Sequence, residues 1–143
     1  MPSVSDHLVL DYLDDLALGC ILDAAGAQSS LLMFELRQLG GRLAEPAIAG
    51  GAFDRIRGSF AYFGVGLLAT PESRENIVAD LAALRGVMSP WNTGFTLPTF
   101  AENTAAPQRT LDDAAFARAA VLRANIDPTG IFAHDVSPVR ADL

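Results

Sequence analysis

A carboxylate and a guanidinium stand two residues apart in this sequence, at Glu35 and Arg37. Both lie in a predicted strand, where residues i and i+2 share a face, so the two side chains are expected to meet. At the floor of a substrate pocket, such an ion pair would tune the carboxylate for acid–base chemistry. On a solvated strand face, the same pair would add little stability. The sequence leaves both interpretations open.

Tyr62 and Gly64 share a face of a later predicted strand and are the other candidates for a substrate pocket. The Tyr62 hydroxyl would bond a ligand in one interpretation, and the ring belongs to the core in the other. Gly64 either leaves space for a substrate or marks a close approach of two backbone segments. Cys20 is expected to be a small buried apolar residue, with a reactive thiol as the alternative.

Several classes of chemistry are excluded by composition. All ten basic residues are arginine, so a phosphate-binding loop that needs lysine and Schiff-base chemistry on lysine are both impossible. His7, His134 and Cys20 show no metal-ligand spacing, and no metal site is expected. The net charge of −7 without a basic stripe argues against nucleic acid as a partner.

The chain has the composition of one folded domain over residues 1–143. Half of the residues are hydrophobic, which excludes a disordered chain. No uncharged run approaches the roughly 20 residues of a membrane span, so no membrane partner is expected. The start, Met1-Pro2-Ser3, lacks the basic region of a signal peptide, and one cysteine allows no internal disulfide. These features predict a cytoplasmic protein.

Hydrophobic periodicity and capping residues predict three helices and three strands. Leu8, Leu13 and Leu16 recur at helical spacing after a possible cap at Ser5, and Thr70-Pro71 is typical of a helix start. The expected elements are a helix at 6–25, strands at 29–36 and 58–69, a helix from 70 to 90, a strand at 95–100 and a helix at 110–124. This order, helix-strand-strand-helix-strand-helix, predicts an α+β fold in which the helices pack on one face of an antiparallel sheet.

Three short sequence motifs follow one another along the chain: ELRQLGG at 35–41, AF at 52–53, and NIDPTGIF at 125–132 followed by VSP at 136–138. Together they resemble phrases of FAD-linked oxidases of the vanillyl-alcohol-oxidase and berberine-bridge-enzyme-like group. Members of that group have an N-terminal FAD-binding domain, a substrate domain built on an antiparallel sheet, and a C-terminal segment that returns to the flavin. The chain resembles the second half of the substrate domain and, at about 111–143, the C-terminal segment.

The resemblance also implies which residues would face the cofactor. Thr99 and Phe100 fall where many members carry a Tyr-x-Asn-Phe phrase beside the flavin, and His134 lies in the segment that approaches the ring. Leu97 and Thr99 stand in place of the tyrosine and asparagine, so both polar groups are lost. His134 would donate a hydrogen bond to the flavin or a substrate, or it is an exposed tail histidine near Asp135.

Two functions follow as expectations. In the first, the chain is the substrate-domain portion of an FAD-linked oxidase-like protein and is not catalytic alone. It carries no GxGxxG motif, so the isolated chain is expected to hold no cofactor, and FAD is implied only by the resemblance. In the second, it is a stand-alone α+β protein, non-enzymatic or binding a small ligand, that derives from such a domain.

The partner is expected to be a second copy of this chain or a separate FAD-binding chain. A three-stranded sheet has two edges, and an uncovered edge is a template for pairing with another chain. Apolar residues near the predicted edges favour a homodimer in which sheets join edge to edge or pack face to face about a two-fold axis. These edge residues are Leu31, Met33, Phe63, Val65 and Leu67.

Overall fold

Three helices and three strands form the part of the chain that the computed structural model describes, which comprises residues 2–48, 50–51, 53–100 and 109–131. Short 3₁₀ turns lie at Gly41–Leu43, Ser89–Trp91 and Pro98–Phe100. The predicted α+β class is confirmed. The elements are β1 (Ser3–Leu10), α1 (Asp15–Ala24), β2 (Met33–Gln38), β3 (Phe60–Leu67), α2 (Pro71–Met88) and α3 (Asp113–Ile126).

The sheet is antiparallel and has the order β1-β3-β2, so β3 is the central strand. Leu8 of β1 and Leu36 of β2 both stand opposite Tyr62 of β3. β2 ends before Gly40 and Gly41, which have φ angles of 136° and 52°. Glycine adopts such angles without strain, and this is why the Gly-Gly pair can turn the chain after the strand.

The predicted helix at 6–25 is wrong in its first half, because Ser3–Leu10 is a strand. The run Leu8-Val9-Leu10 is buried on both faces of the sheet, so it lacks the alternation that identifies a half-buried strand. Its leucines happen to be in helical phase with those of α1, which follows after a short turn. The helix begins only after Asp14, whose carboxylate accepts a hydrogen bond from the Ala17 N–H at 2.8 Å.

The predicted strand at 95–100 is also wrong. Phe95 forms a single isolated β-bridge, with Arg109, and the chain then enters the 3₁₀ turn at Pro98–Phe100. Proline has no N–H to give to a sheet, which ends strand pairing at this point. The preceding residues do reach the sheet: the Thr93 N–H donates to the Val9 carbonyl at 3.0 Å, on the outer side of β1.

The remaining predicted elements are confirmed with shifted ends. Thr70 caps α2 through a capping box with Ser73. For α3, the capping residue is Asp112, which accepts from the Ala115 N–H, so the helix begins later than the predicted residue 110. No helix in the described part of the chain is long and apolar enough to cross a membrane.

The core lies between one face of the sheet and the helices α1 and α2. Its buried cluster combines strand residues with Ile21 of α1 and with Leu84 and Met88 of α2. A Cβ on Gly66 would overlap the side chain of Ile77, so the glycine lets α2 pack close to β3. The strand residues of the cluster are Leu8, Leu10 and Tyr62.

Candidate functional site

The opposite face of the sheet is the candidate site, because neither α1 nor α2 packs on it. The register places three rows of side chains across this open face. α3 begins beside its Val9 end, where Thr110 and Asp112 line a small cavity with Val9. The rows are Ser5–Val65–Met33, His7–Phe63–Glu35 and Val9–Ala61–Arg37.

Glu35 and Arg37 lie together on this open face, as their spacing predicts. Arg37 donates from Nε to Glu35 Oε1 at 2.9 Å, and its Nη2 lies 2.8 Å from the same oxygen. The two side chains are 35% and 60% exposed, so water screens the pair and its contribution to stability is small. Within this chain the geometry is that of a solvated strand face. A second molecule laid on the open face would bury the pair.

Tyr62 and Gly64 point to the other side of the sheet, into the core beneath α2. Tyr62 is fully buried, and burial raises the pKa of its phenol far above the usual range. A Cβ on Gly64 would overlap the Tyr62 hydroxyl and Leu81 of α2, so this glycine permits close packing and leaves no space for a substrate. Neither residue reaches the open face.

The segment that the resemblance places beside the flavin does lie on the open face. The Phe100 ring stands 4.9 Å from the ring of His7 and 5.1 Å from that of Phe63, measured between centroids. Thr99 is exposed beside it. His134 lies outside the described residues. Of the three residues that the resemblance implies would face the cofactor, Phe100 lies over the middle row of the open face, and Thr99 is exposed next to it.

His7 holds this segment against the sheet. Its Nδ1 donates to the Tyr62 carbonyl at 2.6 Å, and its Nε2 accepts from the Leu97 N–H at 3.2 Å. This pair of bonds requires the neutral imidazole, since a protonated ring has no lone pair for Leu97. Burial lowers the pKa of His7, against a smaller opposing effect of its hydrogen bond to Tyr62 and of neighbouring Asp6.

The role of His7 could not be read from the sequence, because its partner Leu97 is 90 residues away. The Asp6 side chain next to it pairs with Arg85 of α2, and Arg85 also donates to the His7 carbonyl at 3.3 Å. These contacts hold the outer edge of β1 against α2 and against the segment that contains Leu97. Among the described residues no group of acidic, histidine or cysteine side chains could hold a metal ion.

A second concave region lies at the end of β1 and contains three aromatic residues. It is a groove of about 690 Å³ whose walls include Tyr12, Trp91 and Phe95, with the carboxylates of Asp11 and Asp14. Its volume is within the usual range for small-molecule sites, roughly 300–1,000 Å³. Tyr12 is far from Trp91 and Phe95 in the chain, and no local sequence pattern indicates this groove.

Two arginines flank Phe95 at the back of the groove. The guanidinium carbons of Arg57 and Arg109 lie 5.8 and 4.9 Å from the centre of its ring, within reach for cation–π contacts. Arg57 also pairs with Asp112, the cap of α3. This cluster fixes the start of α3 to the loop before β3.

Comparison of the sequence with protein-family models and with curated proteins gave no match. The likeness to FAD-linked oxidases therefore rests on the three phrases alone.

Proposed function

We propose that this chain is the substrate-domain portion of an FAD-linked oxidase-like protein, and that its open sheet face covers the flavin of a separate FAD-binding chain. The observation that carries the proposal is the position of Thr99 and Phe100 on the same face as Glu35 and Arg37. In this arrangement a substrate lies between the sheet and the flavin ring, which takes the hydride. A cytoplasmic location is part of the proposal, since a chain with a single cysteine gains no disulfide from an oxidising compartment.

The residues of the open face define what this chain would contribute. Phe63, Val65 and Met33 provide an apolar floor, and the Glu35 carboxylate with its Arg37 partner provides one charged group at the rim. Covering the pair would exclude water from around it and strengthen the attraction between its two charges. The buried imidazole of His7 on this face already bonds Tyr62 and Leu97 through both ring nitrogens and has none to offer a substrate, so we propose no catalysis by this chain alone.

The test is association with a separately expressed FAD-binding domain of a berberine-bridge-like oxidase. Flavin fluorescence reports docking, because the sheet would exclude water from the ring. We expect binding by the wild-type chain and loss of binding when Val65→Glu places a charge on the central strand of the open face. Leu22→Glu is the matched control, since Leu22 is an exposed leucine of α1 on the opposite side.

Two results would contradict the proposal. One is purified chain that retains stoichiometric FAD by itself, which would show a complete flavin site. The other is equal behaviour of Val65→Glu and the wild type with the flavin domain. An open reading frame next to the gene that encodes such a domain would support the proposal independently.

The groove favours a second candidate, a stand-alone protein that binds a small ligand. Trp91 is the only tryptophan of the chain and lines the groove, so its fluorescence reports occupancy directly. A ligand screen read out by this emission is the experiment. A hit that is lost in Tyr12→Ala, with no docking to any flavin domain, would favour this function over the first.

A further inference from the structure

The last turns of α3 carry apolar side chains that no described part of the chain covers. Ala115, in the first turn, is 4% exposed, whereas Leu122 and Ile126, which lie on the same face of the helix, are 58% and 72% exposed. The stripe that α3 buries at its beginning therefore continues uncovered for two further turns. Exposed apolar stripes of this kind are typical of contact surfaces.

The exposed stripe includes a regular ridge of three residues at four-residue spacing. Arg118, Leu122 and Ile126 follow one another along α3, and Arg118 is exposed at the start of this ridge. Side chains four apart form the ridges by which helices pack into one another. The ridge thus presents one positive charge followed by two apolar side chains.

The outer face of α1 has the complementary shape. Gly19 is exposed, and a Cβ placed there would meet no atom within 4 Å, so the helix surface has an open notch at this point. Asp15 and Asp23 stand four residues before and after it, in the same row, and the helix carries no basic residue in its last turn. Exposed Leu16 and Leu22 flank the notch on either side.

We propose that these two surfaces bind each other between two copies of this chain. Leu122 would pack on the notch at Gly19, and Arg118 would then lie against Asp15 or Asp23, one ridge spacing away. The rows have the same four-residue period, so both contacts form in one alignment. Both surfaces are exposed in the described part of the chain, so a second copy can reach them.

Charge favours this pairing over the symmetric ones. Two α1 faces together would oppose aspartates, and two α3 ridges would bring no opposite charges together, whereas α1 against α3 joins opposite charges. A two-fold axis forms the contact twice, which doubles the buried area toward the roughly 1,000 Å² of a specific interface. The contact does not use the open sheet face, so it is independent of flavin docking. It also differs from the edge-to-edge pairing expected from the sequence.

The first test is a single substitution in the notch with a matched control. Gly19→Gln fills the notch, and Gly86→Gln makes the same change at an exposed glycine of α2 that also has open space around it. Removing a helical glycine should raise the melting temperature of both variants. Only Gly19→Gln should weaken dimerisation, by about tenfold or more in sedimentation experiments.

A monomeric wild-type chain at high micromolar concentration would overturn the proposal. So would equal dimerisation of the two glutamine variants, because the notch would then be outside the interface. Since both variants are expected to be more stable than the wild type, loss of the dimer could not be attributed to unfolding.

The second test exchanges charges between the two surfaces. One variant carries Arg118→Glu, and the other carries Asp15→Arg with Asp23→Arg. Each variant alone opposes like charges and should be monomeric, while a mixture of the two should form a mixed dimer with both contacts restored. A mixture that stays monomeric, or two variants that dimerise alone like the wild type, would contradict the assigned pairing.

Discussion

Removing one buried oxygen atom, in Tyr62→Phe, should stabilise this protein. Tyr62 is 0% exposed, and its hydroxyl has no hydrogen-bond partner among the described residues. A buried polar group without a partner destabilises a fold by about 1–3 kcal/mol relative to its hydrated state. Phenylalanine keeps the ring and its contact with Phe34, whose centroid lies 5.6 Å away, so little packing is lost.

The expected gain in the free energy of unfolding is about 1 kcal/mol, because the small void left by the oxygen offsets part of the benefit. For a chain of this size that corresponds to a rise of roughly 2–4 °C in the melting temperature. Chemical denaturation followed by circular dichroism measures the difference. Tyr12→Phe is the matched control, since Tyr12 is the only other tyrosine and is 61% exposed, and its change should be close to zero.

The opposite sign would refute the reasoning. If Tyr62→Phe lowers the free energy of unfolding by more than about 0.5 kcal/mol, the hydroxyl makes a stabilising hydrogen bond, and the packing around Gly64 described above is incorrect. Tyr62→Leu removes the ring together with the hydroxyl, so its comparison with Tyr62→Phe gives the contribution of the ring. It should be destabilising by about 1–3 kcal/mol, because most of the aromatic ring is lost from the core.

Three further predictions concern other positions. Because burial lowers the pKa of His7 below 6.5, the unfolded chain binds this proton more readily, and stability should fall as the pH drops below 6.5. Urea titrations at several pH values should show this slope, and His7→Gln should reduce it. Gly66→Ala should destabilise the fold by about 1–3 kcal/mol, since the new methyl overlaps Ile77, and a neutral result in thermal unfolding would contradict the close packing of α2. Glu35→Gln should change stability by less than about 0.5 kcal/mol, because its pair with Arg37 is solvated; a larger loss in the same assay would show that the pair is buried in solution.

The elements that the sequence predicts well are those marked by capping or turn residues within a few positions of their ends. The helix α2 follows from Thr70-Pro71, and the turn after β2 follows from Gly40-Gly41. The strand β1 could not be predicted, because tertiary contacts bury both faces of Leu8–Leu10 and remove its alternation.

In the candidate site too, contacts within one strand were predictable and contacts between distant segments were not. The meeting of Glu35 with Arg37 depends only on spacing along one strand and was predictable. The side of the sheet that the helices cover was not predictable, and the structure places Tyr62 and Gly64 on that covered side, away from Glu35 and Arg37. The contacts of His7 join segments that are far apart in the chain, and no local pattern encodes them.

The central position of β3 has a consequence for synthesis of the protein. Among the strands that the structure describes, β1 pairs only with β3, and roughly 50 residues separate the end of β1 from the start of β3. At about 5–20 residues per second, a ribosome needs about 3–10 s to make the intervening chain. For that time the apolar Leu8–Leu10 run has no strand to join. Of the three described strands, β1 is made before the others and is among the last to pair, so it is the one for which chaperones have most time to compete during translation.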